Sequence, residues 1–468
     1  MDYLRKTLKS TREDPYGYFY LLYKLHKNPI KTRPVCSDCA STTHGLGQWV
    51  NEILQPVALA QRAYSKDSFA LKNRLNKVEL DPELWYSIFS LDAVSMYTNI
   101  DTEGCIKRLS DFLLLEKNQK RFGYPAKALI EAISIVMRNN RMRFGDLIFQ
   151  QLVGVAMGIS PAPPIANIYV AMFELQNIFD QFQDYLLLYL RFIDDGIVIW
   201  QHSNDKAADS KAFEDFKTTI NKSGLTWEFT KPGHSLDFMD MQIELGKRKI
   251  ETNLFQKPMA LHLYILPNSC HPPGNLGSLV SGMTLRIHRL CSRSSDIDFW
   301  LKEFYSHLRD RGYKQQHLIS LLDKAIVTAN NFLKRSPWKI EKLKREKAAN
   351  SKRRVAFHLK FHPNDPSSTT LQNLFRKCLF SPEDEAPLKS LKNFDDIPIP
   401  LDGAVIAYHR YHNLCNLLSY RKIDKTPGGL KCHHSFDSTL VGPLLILLLT
   451  WQELPAAALL PCEKQNKF

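Results

Sequence analysis

The sequence predicts an α+β protein organised around an antiparallel sheet, with acidic residues where apolar strands end. Three stretches predict it. Ile88, Phe89 and Leu91 make a short apolar run, the pattern of a buried strand, and the run stops on Asp92. YLLLYLRFIDDGIVIW (185–200) sets two strongly apolar runs on either side of Asp194-Asp195-Gly196, so it predicts a hairpin with two carboxylates at the turn. Leu46, Trp49, Val50, Ile53, Leu54 and Val57 recur at helical spacing within 44–80.

The other elements follow in order. Residues 15–35 mix aromatics with Lys24, His26, Lys27, Lys31 and Arg33 ahead of Pro34, a strand and loop rich in groups that bind phosphate. Residues 103–140 read as two helices. MRFGDLIFQQ reads as a hairpin turning at Gly145-Asp146. Gly154 to Pro164 is a Gly/Pro-rich loop, and Pro164 opens a helix as an early proline does. A helix at 207–222 and a strand at 225–230 follow the acidic hairpin. Beyond Phe238 the pattern is mixed, turning helical from about Met283 to Lys347. After Gly429 the chain becomes Leu- and Pro-rich without a period.

At 468 residues the chain exceeds one compact core and predicts two or three domains. Lys and Arg total 62 against 48 Asp and Glu, a formal charge of +14, which favours a polyanionic partner. From Lys334 to Arg354 there are ten basic residues and two acidic ones, with Phe332, Trp338, Ile340 and Leu343 among or beside them. A solvated helix face would alternate signs, so this run predicts a surface that meets phosphates. Nine scattered cysteines do not form a disulfide framework and point to a reducing compartment. Cys36-Ser-Asp-Cys39 has half the spacing of a metal site and lacks a second half. The N-terminus is charged, with no signal-peptide core. Val441 to Trp451 is about half the ~20 residues a membrane span needs, so no membrane association is expected.

The chemistry centres on the carboxylates. An Asp-Asp turn alone is a common surface feature. Here the pair tips an otherwise apolar hairpin, where ionised groups call for cations, and a tight turn suits hard divalent metals with oxygen ligands. Asp92 ends another apolar strand, with the aromatic Tyr97 five residues on. One carboxylate from one strand and a pair from a neighbouring hairpin can hold two Mg²⁺ ions roughly 4 Å apart, the arrangement that phosphoryl transfer uses.

These residues stand in an order that resembles a known family. FSLDAVSMYTNI, GVAMGISPAPPIANIYV, RFIDDGIVIW and LDFMDMQI are similar to the palm motifs of Penelope-like retroelement reverse transcriptases, whose palm telomerase shares. YKLHKNPIKTRPVCSDCAS resembles that family's fingers motif, SCHPPGNLGSLVSGMTLRIHRLCS with FYSHLRDRGY its thumb, and VAFHLKFHP with AYHRYHNLCNLLSYRKI its C-terminal extension. The blocks run from about residue 20 to 425. The resemblance implies a right-hand polymerase: 1–85 partial fingers, 86–250 palm, 251–345 helical thumb, 346–428 C-terminal extension and 429–468 a divergent tail.

It also implies roles. Asp92 and Asp194 would ligate two Mg²⁺ or Mn²⁺ ions, with Asp195 supporting them and the backbone carbonyl of Ala93 beside them. Tyr97 would be the steric gate under the sugar. Gly158 and Pro163 would shape the loop beneath the template base and incoming nucleotide. Lys24 and Arg33 would meet triphosphate or template phosphate, and Phe238-Met239-Asp240 would steady the primer end. The partners implied are an RNA template, a DNA primer or duplex and dNTPs, in the nucleus.

The chain departs from the pattern in places. Ala162 lacks a hydroxyl the family usually has, Phe192 replaces a common tyrosine, and the cysteine knuckle is reduced to Cys432-His433-His434. No GIY…YIG endonuclease block follows, which implies an enzyme that must be handed its 3′-hydroxyl. A viral RNA-dependent RNA polymerase would want an acidic residue where Tyr97 stands. A telomerase-like enzyme fits the combined blocks less well. A decayed or domesticated nucleic-acid-binding relic is favoured by Ala162 and the reduced tail, and opposed by intact Asp92, Tyr97, Asp194 and Asp195.

Overall fold

Strands form where the sequence runs apolar, and the helices cover them. The computed structural model describes residues 15–24, 29–39, 41–269, 271 and 274–335, then 339, 342–343, 345–346, 355–360, 365–380, 404–409 and 459–461. The chain divides into two units, Met1–Ala260 with Phe436–Phe468, and Leu261–Ser435.

In the first unit, β1 (Gly17–Lys24) and β2 (Lys31–Ser37) pair antiparallel, bringing Lys24 opposite Lys31. Helices His44–Leu59 and Ser68–Leu75 follow, and the second is capped by the Asp67 side chain on the Ala70 amide. Next comes β3 (Tyr86–Ala93), then a short turn of helix, Met96–Asn99. The two helices expected over 103–140 are three: Thr102–Leu113, Glu116–Phe122 and Ala126–Arg138. The middle one is short and highly charged, so no apolar period announces it.

The hairpin β4 (Arg141–Phe144) and β5 (Leu147–Gln151) turns at Gly145-Asp146 as expected. Helix Ala162–Asn177 begins two residues ahead of Pro164 and keeps both prolines in its first turn, where a missing amide costs no helical hydrogen bond. β6 (Leu186–Phe192) and β7 (Asp195–Gln201) are the acidic hairpin. Helix Lys206–Asn221 and β8 (Trp227–Phe229) follow. The mixed pattern after Phe238 conceals a sheet: β9 (Ser235–Phe238), β10 (Met241–Leu245) and β11 (Ile250–Leu254) form an antiparallel meander.

The central sheet has the order β6-β7-β3-β8 and every pairing in it is antiparallel. A second sheet joins β5, β4, β1 and β2, with Leu459–Pro461 on its β5 edge. This is a mixed α/β unit whose sheets are antiparallel except where β1 runs parallel to β4, in keeping with the expected α+β class. Helix Ala162–Asn177 is buried over most of its circumference and belongs to one core with Phe89, Leu91, Val198, Trp200 and Phe216. Each such side chain contributes about 1.5–3 kcal/mol on burial. That core fixes the end of the sheet where the acids lie.

In the second unit helices span Asn275–Leu290, Ser294–Asp310 and Gln315–Leu333, so the helical region starts at Asn275 rather than Met283. Val355–Lys360 pairs in parallel with Ala404–His409, beside a helix over Ser368–Phe380. Most of the basic run 334–354, His26, Lys27, Cys432-His433-His434 and nearly all of 429–468 lie outside the described residues. No helix among the described residues is long and apolar enough to cross a membrane.

Candidate active site

Register brings the acids together. Asp92 on β3 stands directly opposite Asp195 on β7, although about a hundred residues separate them in sequence. Directly opposed residues of antiparallel strands share a face, with Cβ atoms about 4.5–5.5 Å apart. The row continues across the sheet. Phe192 on β6 faces Asp195, and Glu228 on β8 faces Asp92 from the other side. Asp92, Asp195 and Glu228 are all exposed, so the sheet presents three carboxylates side by side. Glu228 was passed over in the sequence. Its strand is three residues long, too short for a period to assign it a face.

Asp194 is held differently. Its carbonyl accepts the Ala93 amide at 3.0 Å, which ties the hairpin turn to the end of β3. The turn itself is two residues, Ile193 and Asp194, between the opposed Phe192 and Asp195. Ile193 has φ +58°, a left-handed conformation that a β-branched residue rarely adopts. Leu91 packs where a side chain on Gly196 would have to go, since a Cβ there would come within 2.7 Å of it.

Like charges opposed across a sheet raise one another's proton affinity. Asp195 goes from its ordinary 3.8 up to about 6, first through desolvation and then through Asp194 and Asp92, with Lys257 and Arg33 opposing. Although the residue is exposed, protein encloses enough of its carboxylate for burial to be the leading cause. A raised carboxylate pKa destabilises the fold once the group ionises. The loss grows as pH rises from about 4 to about 6 and is constant above. Asp195→Asn is therefore expected to melt at a higher temperature than the wild type at pH 7 in EDTA, with the gap closing by pH 4. A wild type that matches or exceeds the variant at pH 7 would contradict the crowding of charge inferred here.

Arg33, exposed on β2, thus lies within electrostatic reach of the acids, and so does the exposed Lys257, which sequence reading missed because it follows a strand that was not anticipated. Lys24 is half-buried at the end of β1. Tyr97 is half-buried in the turn of helix after β3, and its hydroxyl is driven up by burial first and by Asp194 second, with Arg191 opposing. The ring therefore stays neutral beside the acids.

The glycine loop leans on both neighbours. The Val155 amide donates to the Tyr97 carbonyl at 2.7 Å, and the Cys36 amide donates to the Met157 carbonyl at 2.7 Å. Gly158 has φ +113°, and a Cβ there would sit 2.4 Å from the Cys36 carbonyl oxygen. Gly158→Ala thus meets both a forbidden backbone conformation and a backbone clash, at a cost of about 1–3 kcal/mol or more. It is expected to lower the melting temperature by several degrees, and an unchanged melt would show that the loop can sit elsewhere. Pro163 is exposed and Ala162 buried at the start of the following helix.

Phe238 is buried in its sheet, while Met239, at φ +55°, and Asp240 form the half-buried β9–β10 turn, with the Ser68 hydroxyl donating to the Asp240 carboxylate. Phe238 is thus a core residue and only the turn beside it reaches the surface. Cys36 is buried and its thiol pushed up to about 11 by desolvation, whereas Cys39 is exposed. Among the described residues no three His, Cys, Asp or Glu side chains converge as a ready-made metal cage. Mg²⁺ does not require one. It is bound by one or two carboxylates together with substrate phosphates and water.

No protein-family model matches the chain, and no curated protein does. Among solved structures it is similar to telomerase from Candida albicans in complex with a fragment of telomeric RNA, at 10% identity and a TM-score of 0.46, over 69% of this chain and 61% of that one. It is similar to apo telomerase from Candida Tropicalis truncated from its C-terminal domain, at 12% identity and a TM-score of 0.39, over 54% and 59%. A BmCPV RNA-dependent RNA polymerase at its elongation state is similar at 9% identity and a TM-score of 0.38, over 62% of this chain and 26% of that one. The chain spans about three fifths of the length of these telomerases. Likeness at this level decides nothing about its chemistry.

Proposed function

We propose that the chain is an RNA-directed DNA polymerase of Penelope-like type, extending a primer 3′-hydroxyl at Asp92, Asp194 and Asp195. One observation carries the reading: Asp92 and Asp195 stand opposite each other on adjacent strands while Asp194 is tied by its carbonyl to the end of the Asp92 strand. Exposed carboxylates crowded this closely are costly unless cations meet them, and the oxygen-only donor set suits Mg²⁺ or Mn²⁺. When bound, two such ions would lower the pKa of the 3′-hydroxyl and offset the charge on the triphosphate.

Asp92 and Asp194 would hold the ions, with the Ala93 carbonyl and Asp195 alongside. The 3′-hydroxyl gives up its proton to solvent water, its oxygen bonds to the α-phosphorus, the bond to the β-phosphate bridging oxygen breaks, and pyrophosphate leaves with that electron pair. Arg33 and Lys257, the cations that already oppose the charge on Asp195, attract the polyphosphate, and Lys24 extends that field along the β1–β2 hairpin. Tyr97 lies under the sugar, Gly158 and Pro163 shape the floor for the template base, and the Met239-Asp240 turn meets the primer with Phe238 anchoring it from the core. On this reading 1–85 serves as fingers, 86–250 as palm, 251–345 as thumb and 346–428 as an extension, acting on an RNA template and DNA primer with dNTPs in the nucleus.

The test is primer extension by the full chain on an RNA template, with dNTPs and Mg²⁺ or Mn²⁺. Templated extension is expected. Tight RNA binding without any extension would favour the relic reading instead.

A further inference from the structure

Beneath the acidic turn lies a charged network that no role above uses. Arg191 is 1% exposed and Glu174 0%. The Arg191 Nε donates to Glu174 Oε1 at 2.6 Å, and the Tyr189 hydroxyl donates to the same oxygen at 2.7 Å. Nη1 donates to Asn167 Oδ1 at 3.0 Å and to the Ile193 carbonyl at 2.7 Å, and Nη2 donates to the Asn167 carbonyl at 3.1 Å. The backbone of Arg191 is also held on both sides, its amide by the Ala63 carbonyl and its carbonyl by the Ser65 amide. Burial alone would push the guanidinium down, and Glu174 outweighs it, so Arg191 remains charged.

The bond to Ile193 matters most. In a two-residue hairpin with positive φ only at its first position, glycine is the favoured occupant, yet Ile193 stands there at φ +58°. Something outside the turn must hold that conformation. The Ile193 carbonyl belongs to the peptide joining Ile193 to Asp194, so fixing it fixes the plane from which Asp194 departs. The next carbonyl, that of Asp194, is held by the Ala93 amide. Two successive carbonyls of the turn are thereby latched, one from the core and one from β3.

We infer that Arg191, held by Glu174 and Asn167 while Tyr189 steadies Glu174, is a positioning residue that locks Ile193 in the left-handed conformation and so sets Asp194 and Asp195 against Asp92 for metal binding. This rests on the metal-binding reading of the three acids proposed above. A lysine could keep the ion pair with Glu174 but lacks the planar fork needed to reach Glu174, Asn167 and Ile193 at once. Buried groups that orient metal ligands typically contribute 10–100-fold to affinity.

The experiment is Mn²⁺ titration of the full chain, followed by electron paramagnetic resonance, beside thermal melts. Arg191→Lys is expected to bind Mn²⁺ at least about tenfold more weakly than the wild type at temperatures where it remains folded. Ile193→Gly placed in that background should recover part of the lost affinity, because glycine adopts the left-handed turn without a latch. A role confined to packing would lower the melting temperature, leave Mn²⁺ affinity unchanged and give no rescue, and that result overturns the inference. Should Arg191→Lys not fold, Arg191→Gln combined with Glu174→Gln serves instead: it removes the bond to Ile193 without leaving a buried charge unpaired, and unchanged affinity there equally overturns the inference. A wild type that binds no Mn²⁺ defeats the reading of the acids themselves, which separates the two failures.

Discussion

Asp92→Asn is expected to abolish templated extension while leaving the fold intact. Asp92 is exposed, so the amide is accommodated without repacking, and removing one of the crowded charges relieves repulsion instead of adding strain. On the proposed reading, what is lost is a metal ligand. Metal stabilisation of a phosphoryl transition state is worth several kcal/mol, and about 4 kcal/mol corresponds to a loss on the order of a thousandfold. The rate of extension under saturating dNTP is the measurement, with a thermal melt in EDTA as the control. A variant that keeps a tenth of wild-type activity would remove Asp92 from the chemistry, and with it the significance of its pairing with Asp195.

The second large effect concerns the sugar. Tyr97→Ala should raise ribonucleotide incorporation relative to deoxynucleotide incorporation, on the order of a hundredfold in the ratio of kcat/KM values. The ring lies in the turn that follows β3, within electrostatic reach of Asp194 and half-buried, and its backbone carbonyl is fixed by the Val155 amide. On the proposed reading, a neutral ring there would exclude a 2′-hydroxyl by its bulk, and the misfit would also displace the triphosphate. Parallel loss of both substrates would instead make Tyr97 a packing residue of the turn.

The acidic hairpin and the strand ending at Asp92 were legible because both are long apolar runs broken by charge, and burial makes such runs unambiguous. β10 and β11 were not, although Met241, Ile243, Ile250, Thr252 and Leu254 alternate inward as a half-buried strand requires. Each segment has only five residues, and a polar turn splits the pattern before it accumulates. The Arg191–Glu174 pair left a trace that could have been read. One arginine interrupts YLLLYLRF and one glutamate interrupts AMFELQNIF, and charges stranded in apolar elements must find each other. Which element packs beneath which hairpin was needed to join them, and that is a tertiary fact. Glu228 depends on register in the same way: only the pairing of β8 with β3 puts it beside Asp92.

The central claim, that Asp92 and the Asp194–Asp195 turn form one metal-binding centre, is tested most directly by anomalous scattering from crystals of the full chain soaked in Mn²⁺ with primer, template and a non-hydrolysable dNTP. Two peaks roughly 4 Å apart, each within ligand distance of Asp92 or Asp194, are the predicted result. Peaks located elsewhere, or none between the ends of β3 and the β6–β7 hairpin while the nucleotide is bound, would contradict it.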